Sequence, residues 1–279
     1  MDYKDIRYEV VDHVARITAN RPRYRNAQST PMLIEMDHAF ERANFDLDVR
    51  VIALFGEGEH FSAGHDLGTP EETAYREKEY IIQEGVRGRY NHTREQFVDK
   101  TLRWRNVQKP TIAAVQGYCI FGGWIIASAM DLIFAAEDAM FLGTNFQYFS
   151  IPWDIHHRKA KEILFESRFV DAEEACELGF VNRVVPRDRL DGEVMEYAAE
   201  VARNDPFQVR MMKLAVNGAQ DAQGFNQHIT AAHSSFLLSS QGEKDPDYLL
   251  DVPEGRRRPI VQRAMEKYEA AQAKKRGEG

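Results

Sequence analysis

Lys109-Pro110-Thr111-Ile112-Ala113-Ala114-Val115-Gln116-Gly117-Tyr118-Cys119-Ile120-Phe121-Gly122-Gly123 is the stretch on which the reading of the fold turns. Thr111 to Val115 reads as a buried strand, and the glycine-rich turn from Gly117 to Gly123 leads into a helix predicted over Gly123 to Met130. A second strand, Leu132 to Ala135, and a helix, His157 to Phe165, follow. Strand and helix alternate, which is the order of stacked β/α units.

The same order appears upstream. Ile6, Tyr8 and Val10 alternate with polar residues, and Val14 to Ala19 continues the pattern after Asp12-His13, so a strand pair joined by a turn is expected. Ser29-Thr30-Pro31 is a helix start, and Met32, Ile34, Met36, Phe40 and Ala43 mark the helix's apolar spacing. Val51 to Phe55 then forms an apolar strand. Between Thr69 and Trp104 lies a charged segment with Tyr75, Tyr80, Tyr90 and Phe97, partly helical and weakly patterned. It reads either as a wall over a site or as a surface excursion. Helical periodicity strengthens from Leu190, is interrupted by Asp245-Pro246-Asp247 and Asp251-Val252-Pro253-Glu254-Gly255, and resumes over Ile260 to Ala273. The expected organisation is a core over residues 1–204 and a helical oligomerisation region over 205–279.

Composition excludes several classes. Of 279 residues, 43% are hydrophobic and 29% charged, as in an ordinary globular chain. No apolar run approaches the roughly 18 residues of a membrane span, and MDYKDIRYEV lacks the apolar stretch of a secretory signal, so a cytoplasmic location is expected. A formal net charge of −8 opposes binding to nucleic acid. Cys119 and Cys176 are too few for a disulfide framework and read as buried thiols. No residue pair has metal-ligand spacing with supporting carboxylates, so no metal is expected.

Two turns carry candidate chemistry: Phe61-Ser62-Ala63-Gly64-His65-Asp66-Leu67 after one strand, and Gly117 to Gly123 after another. Small residues let a ligand approach the main chain, and the second turn opens a helix whose first N–H groups are unpaired at its positive end. Together they could hold an oxyanion and polarise a thioester carbonyl. Either alone is equally well explained by close packing.

With these residues in place, the chain resembles the crotonase superfamily, the enoyl-CoA hydratase and isomerase family, over about Ile6 to Leu190. The resemblance rests on Asn20-Arg21-Pro22, Arg25-Asn26-Ala27, Phe61 to Leu67, Lys109 to Gly117, Gly122-Gly123, Asp131 and Ala175 to Pro186. It implies an α/β fold, the family's spiral of ββα units, and assembly as a homotrimer or dimer of trimers. It also implies coenzyme A as part of an acyl-CoA or enoyl-CoA substrate, with no tightly bound cofactor. By position, the oxyanion donors are the main-chain N–H groups of His65 and Gly122. Ala63, Asp66 and Leu67 border the adenine and pantetheine, while Arg23 and Arg25 neighbour the phosphates by charge and location. The His65 ring reads as a pocket wall.

The two glutamates that flank a water in the family's hydratases correspond here to Ile125 and Asn145. Isoleucine transfers no proton and an amide is no base near neutral pH, and losing such groups typically costs about 10²–10⁴-fold each in rate. Asp154 falls where diketone hydrolases and dienoyl-CoA isomerases of the superfamily place an aspartate. It is the candidate base, with the N-cap of the next helix as its competing role. His156 and His157 are further candidates, and Asn145, Gln147 and Tyr148 could hydrogen-bond an acyl group or water. Trp124, Phe121, Phe146, Tyr148, Phe149 and Trp153 suggest a bulky acyl group wherever they face the pocket.

The leading expectation is therefore an acyl-CoA-processing enzyme of the hydratase/isomerase family, by default a hydro-lyase, with atypical acid and base residues. The alternatives are a non-catalytic acyl-CoA binder and a C–C bond hydrolase for a cyclic or bulky acyl-CoA.

Overall fold

Alternate residues on neighbouring strands face opposite sides of one sheet. Val51, Ala53 and Phe55 share a core with Ile112, Ala114 and Phe134, while Ile52, Leu54, Ala113, Val115 and Ile133 enter another. A sheet covered on both faces has continuous apolar strands, which is why Val51 to Phe55 and Thr111 to Val115 show no polar alternation. The computed structural model describes residues 1–242 and 259–276.

The chain begins with β1 (Ile6–Val11) and β2 (Val14–Ala19), an antiparallel pair. Asp12 and His13 make their turn at φ of 49° and 65°, the left-handed pair that suits the twist of a two-residue hairpin. Helix α1 (Thr30–Phe45) is capped by Ser29, whose side chain accepts from the Met32 N–H at 3.2 Å. It buries Leu33 beside the expected Met32, Met36, Phe40 and Ala43, whereas Ile34 is only half-buried. β3 (Val51–Gly56) follows.

The charged segment becomes α2 (Pro70–Lys78), α3 (Gly85–Thr93), a π-helical turn (Arg94–Asp99) and α4 (Lys100–Arg105). β4 (Thr111–Val115), β5 (Tyr118–Ile120) and α5 (Gly122–Ser128) come next. The glycine-rich turn thus contains a three-residue strand that its spacing did not announce. β6 (Leu132–Ala136), β7 (Met140–Leu142), α6 (Ile151–Asp154) and α7 (His157–Glu166) continue the order. β8 (Val170–Asp171), α8 (Ala172–Glu177), β9 (Arg183–Val185) and α9 (Leu190–Ala202) complete the layered part.

Six strands run β1-β2-β3-β4-β6-β9, parallel from β2 onward, and a second sheet runs β5-β7-β8. This is the expected α/β spiral. β5 leaves for the second sheet between β4 and β6, and β7 and β8 do so between β6 and β9, with β5 parallel to β7. Among the described residues, no helix is long and apolar enough to cross a membrane.

Among the described residues, three helices follow: α10 (Pro206–Ala222), α11 (Phe225–Gln241) and α12 (Pro259–Lys275). Val261 and Ala264 of α12 pack on Tyr118, Ile120 and Leu142, so the C-terminal region folds back on the second sheet. No residue of α10 is buried. The expected interruptions at 245–247 and 251–255 lie outside the described residues.

Candidate active site

The loop after β3 is held between two neighbours as a single extended rung. On one side Ser62 N–H donates to the Tyr118 carbonyl at 2.9 Å and Ile120 N–H to the Ser62 carbonyl at 3.1 Å. On the other, Gln28 N–H donates to the Gly64 carbonyl at 2.8 Å and Asp66 N–H to the Gln28 carbonyl at 2.9 Å. Phe61, Ser62, Ala63, Gly64 and Asp66 all donate their N–H groups within the protein. From Phe61 to Asp66 the His65 N–H alone has no partner among the described residues; beyond it the N–H of exposed Leu67 has none either. Since nearly every buried main-chain donor is satisfied in a folded protein, one unspent donor in a bonded run marks a place for a ligand.

The second donor lies alongside. Phe121 stands at φ 52° and ψ −110°, a sparsely populated conformation for a residue with a side chain, and it turns β5 sharply into α5. Gly122 becomes the first helical residue, so its N–H has no intrahelical acceptor. Gly64, at φ +89°, lies so near that a Cβ there would sit 3.0 Å from the Gly122 nitrogen and 2.9 Å from the Ile120 oxygen. A Cβ on Gly122 would meet His65 Cδ2 and Gln28 Oε1, each at 2.6 Å. Absent side chains at these two positions let the two strands of main chain approach.

A cavity of about 500 Å³ opens at this junction, with His65, Gly122, Phe121, Asn145, Phe146 and Gln147 among its walls. Phe236, Ile260 and Val261 close it from the C-terminal helices, contributors that carry no signal in the sequence because they come from distant, ordinary helical apolar positions. Gln28, beside Gly122, was also unforeseen, while Phe97, of the segment read either as a wall over a site or as a surface excursion, stacks on the His65 ring with centroids 3.7 Å apart. Burial, reinforced by the charges of His92 and Arg76, lowers the His65 ring to about 3, so it is neutral near pH 7.

A neighbouring groove runs along Arg23, Arg25, Ala63, Leu67 and Asp66. Ala63, Leu67 and Arg25 line both spaces. Arg25 makes no ion pair among the described residues, whereas Arg23 pairs with Glu71 and lies over the Tyr24 ring. The Asp66 carboxylate is turned inward. It accepts from Arg21 Nη1 at 2.9 Å, Thr69 Oγ1 at 2.6 Å and the N–H groups of Gly68 and Thr69. Burial alone would raise its pKa, but the Thr69, Gly68 and Arg21 hydrogen bonds outweigh burial and hold it below the ordinary value.

The expected acid and base positions separate. Asn145 is exposed at the cavity, donating to Ser239 Oγ at 3.1 Å. Ile125 is 1% exposed and belongs to the core. Asp154 does not line the cavity with His65 and Gly122: its Oδ2 accepts from Trp124 Nε1 at 2.8 Å and Ser150 Oγ at 2.9 Å, on the border of a separate cavity with Ser128, Arg105 and Asp131. The expected base thus borders a different cavity, because α6 packs its carboxyl against the indole of α5. Nor does it cap α7, a position held by His156. His156 and His157 are both exposed. Tyr148 is fully buried core, while Trp153 and Phe149 turn toward His228. Of the aromatic residues expected to suggest a bulky acyl group, Phe121 and Phe146 line the cavity.

The enoyl-CoA hydratase/isomerase family model matches residues 9–244. A Mycobacterium tuberculosis protein provisionally named enoyl-CoA hydratase EchA13 is 37% identical over 245 residues, 81% of this chain and 77% of that protein. A crystal structure provisionally described as an enoyl-CoA hydratase of Mycobacterium thermoresistibile superposes with a TM-score of 0.78 at 43% identity, over 85% of this chain and 96% of the other. An enoyl-CoA hydratase/isomerase from Xanthobacter autotrophicus Py2 gives 0.77 at 34% identity, over 97% and 94%. With the family model spanning most of the chain, and the α/β spiral and its helical C-terminal region matching these structures, the protein belongs to the enoyl-CoA hydratase/isomerase family, the crotonase superfamily.

Proposed function

We propose that the chain is an acyl-CoA-processing enzyme in which the main-chain N–H groups of His65 and Gly122 hold the thioester oxygen as negative charge develops on it. One observation carries the reading: between Phe61 and Asp66, where the other donors are satisfied, the His65 N–H is free beside the first N–H of α5. Donors fixed by the fold need no reorganisation when charge appears, and losing one costs about 10²–10³ in kcat in sites of this kind. Arg25, with Ala63 and Leu67, is the proposed contact for the nucleotide end of coenzyme A, and Arg23 assists from the rim. Asp66 acts on this edge by shaping the loop with Arg21. Coenzyme A enters as part of the substrate.

Among the described residues, no aspartate or glutamate lines the cavity. Hydration by a carboxylate pair is therefore not the chemistry we assign. Asn145 orients the acyl group or a water, and Asp154 is a positioning residue that acts through Trp124. The same absence favours a second reading, an acyl-CoA binder without turnover. Incubation with short, long, aromatic and cyclic enoyl-CoA and oxoacyl-CoA thioesters, followed by mass spectrometry, separates the two. Products lost in Gly122→Ala support the enzyme; binding of unchanged thioesters supports the binder; no binding sinks both.

The bare α10 surface, with Phe207, Met212, Leu214 and Val216 exposed, supports residues 205–279 as an oligomerisation region and assembly as a homotrimer or dimer of trimers.

A further inference from the structure

Behind His65 lies a group of nitrogen-bearing side chains that the thioester site does not use. Phe97, on the π-helical turn, stacks on the His65 ring and presents its ring to that of His92 at 84°, with centroids 5.6 Å apart. Tyr80 meets His92 in turn, centroids 5.5 Å apart. Lys100 Nζ donates to Gln96 Oε1 at 2.6 Å, and Gln96 Nε2 donates to the Tyr80 hydroxyl oxygen at 2.9 Å. Lys100 and Gln96 are both buried.

Two features set this group apart from ordinary packing. His65 Nε2 and His92 Nδ1 are inaccessible and have no hydrogen-bond partner, an arrangement that lowers stability unless something supplies the missing bond. Among the described residues, the Lys100 ammonium also has no carboxylate in contact. Asp37 and Glu95 attract it from a distance, but both are bound by Arg103. Lys100 bears on His92; Arg76, which bears on both imidazoles, is paired with Glu72, which also accepts from the Thr30 N–H and hydroxyl. Burial brings Lys100 down to about 8, so it still carries its charge near pH 7. A buried ammonium held only by a neutral amide is an incomplete ion pair. The π-helical turn 94–99, a distortion found frequently at functional sites, carries Gln96 and Phe97 and ends just before Lys100.

Building on the acyl-CoA reading above, we infer that His65, His92 and Lys100 form an acyl-recognition subsite for a carboxylate carried by the acyl chain beyond the thioester. The substrate class is then a carboxyacyl-CoA. The carboxylate accepts from the Lys100 ammonium and from an imidazole N–H, supplying charge-assisted bonds that the unliganded protein lacks. Phe97, which touches both imidazoles, is the side chain that turns aside as the acyl chain enters.

The test is calorimetric titration of the wild-type protein with saturated thioesters matched in length: succinyl- against butyryl-CoA, glutaryl- against pentanoyl-CoA, adipyl- against hexanoyl-CoA. The expected result is binding at least about tenfold tighter for the carboxylated member at one or more lengths. Lys100→Met should erase that preference and leave the uncharged thioester within about twofold, and Lys100→Arg should retain it. Equal or weaker binding of the carboxylated member at every length overturns the inference while the acyl-CoA reading stands. Failure of all six to bind overturns that reading as well. The wild-type comparison decides the matter even where Lys100→Met does not fold.

Discussion

Trp124 donates its indole N–H to Asp154 across 2.8 Å, which ties the helix beginning at Gly122 to the short helix 151–154. Ser150 adds a second donor to the same oxygen and is itself bonded to Ser128 at 2.7 Å. A carboxyl engaged in this way holds α5 in place, and with it the first N–H of that helix.

Asp154→Asn should accordingly be mild. An amide oxygen still accepts from Trp124, so kcat in steady-state assays should fall by less than about tenfold. A fall of about 10²–10⁴ would return Asp154 to proton transfer.

The same residue predicts a pH dependence of stability. Burial, opposed by the Trp124 and Ser150 hydrogen bonds, raises its pKa from 3.8 to about 6. The folded protein therefore keeps a proton that the unfolded chain releases between about pH 4 and 6, so this group's contribution falls as pH rises through that window and levels off above it. The total is at most about 3 kcal/mol. Urea unfolding of the wild type and Asp154→Asn at several pH values should show the difference moving in favour of Asn from pH 4 to 6.5. A flat difference would contradict the raised pKa.

Gly122→Ala places a methyl 2.6 Å from His65 Cδ2 and Gln28 Oε1. Overpacking of this kind costs about 1–3 kcal/mol. Displacement of the Gly122 N–H should lower turnover by about 10²-fold or more, since the donor must stay aimed. Thermal unfolding and kcat measured on the same preparation separate the two effects, and unchanged kcat would remove Gly122 from the site.

Asp66 and Arg25, which border the same groove, should respond differently. Asp66→Ala removes the nearer carboxylate of the buried Arg21 guanidinium and leaves it Asp5 at 3.5 Å and the Ala27 carbonyl, a loss of about 1.5–3 kcal/mol. Arg25→Ala should barely alter stability, because Arg25 makes no ion pair among the described residues. It should weaken coenzyme A thioesters several-fold and leave pantetheine thioesters, which lack the nucleotide phosphates, unaffected. Equal losses for both ligands would place the phosphates elsewhere.

On α10, Met212→Asp puts a charge on an apolar surface that is bare in the single chain. If α10 forms the proposed interface, light scattering should show this variant as a smaller species that still unfolds cooperatively. An unchanged assembly mass would move the interface off α10.

How much was legible differs between fold and site. Residues whose neighbours in sequence set their structure could be read directly: the left-handed turn at Asp12-His13, the Ser29 cap, and the buried strands Val51 to Phe55 and Thr111 to Val115. Each depends on local sterics or on burial of an apolar run, so a short window of sequence carries the information. The glycine turns and their joint spacing likewise pointed to the family.

Sequence alone thus determined the α/β class, the order of its units and the two turns that bear the free N–H groups. Tertiary structure alone decided which side chains face them. Asp154 and Asn145 are both polar residues on one stretch of chain, but α6 turns the first against Trp124 and leaves the second at the cavity. Phe97, Phe236 and Val261 reach His65 or the cavity from elements far along the chain. Direction and long-range contact follow from how helices pack on the sheets, and no local propensity encodes that.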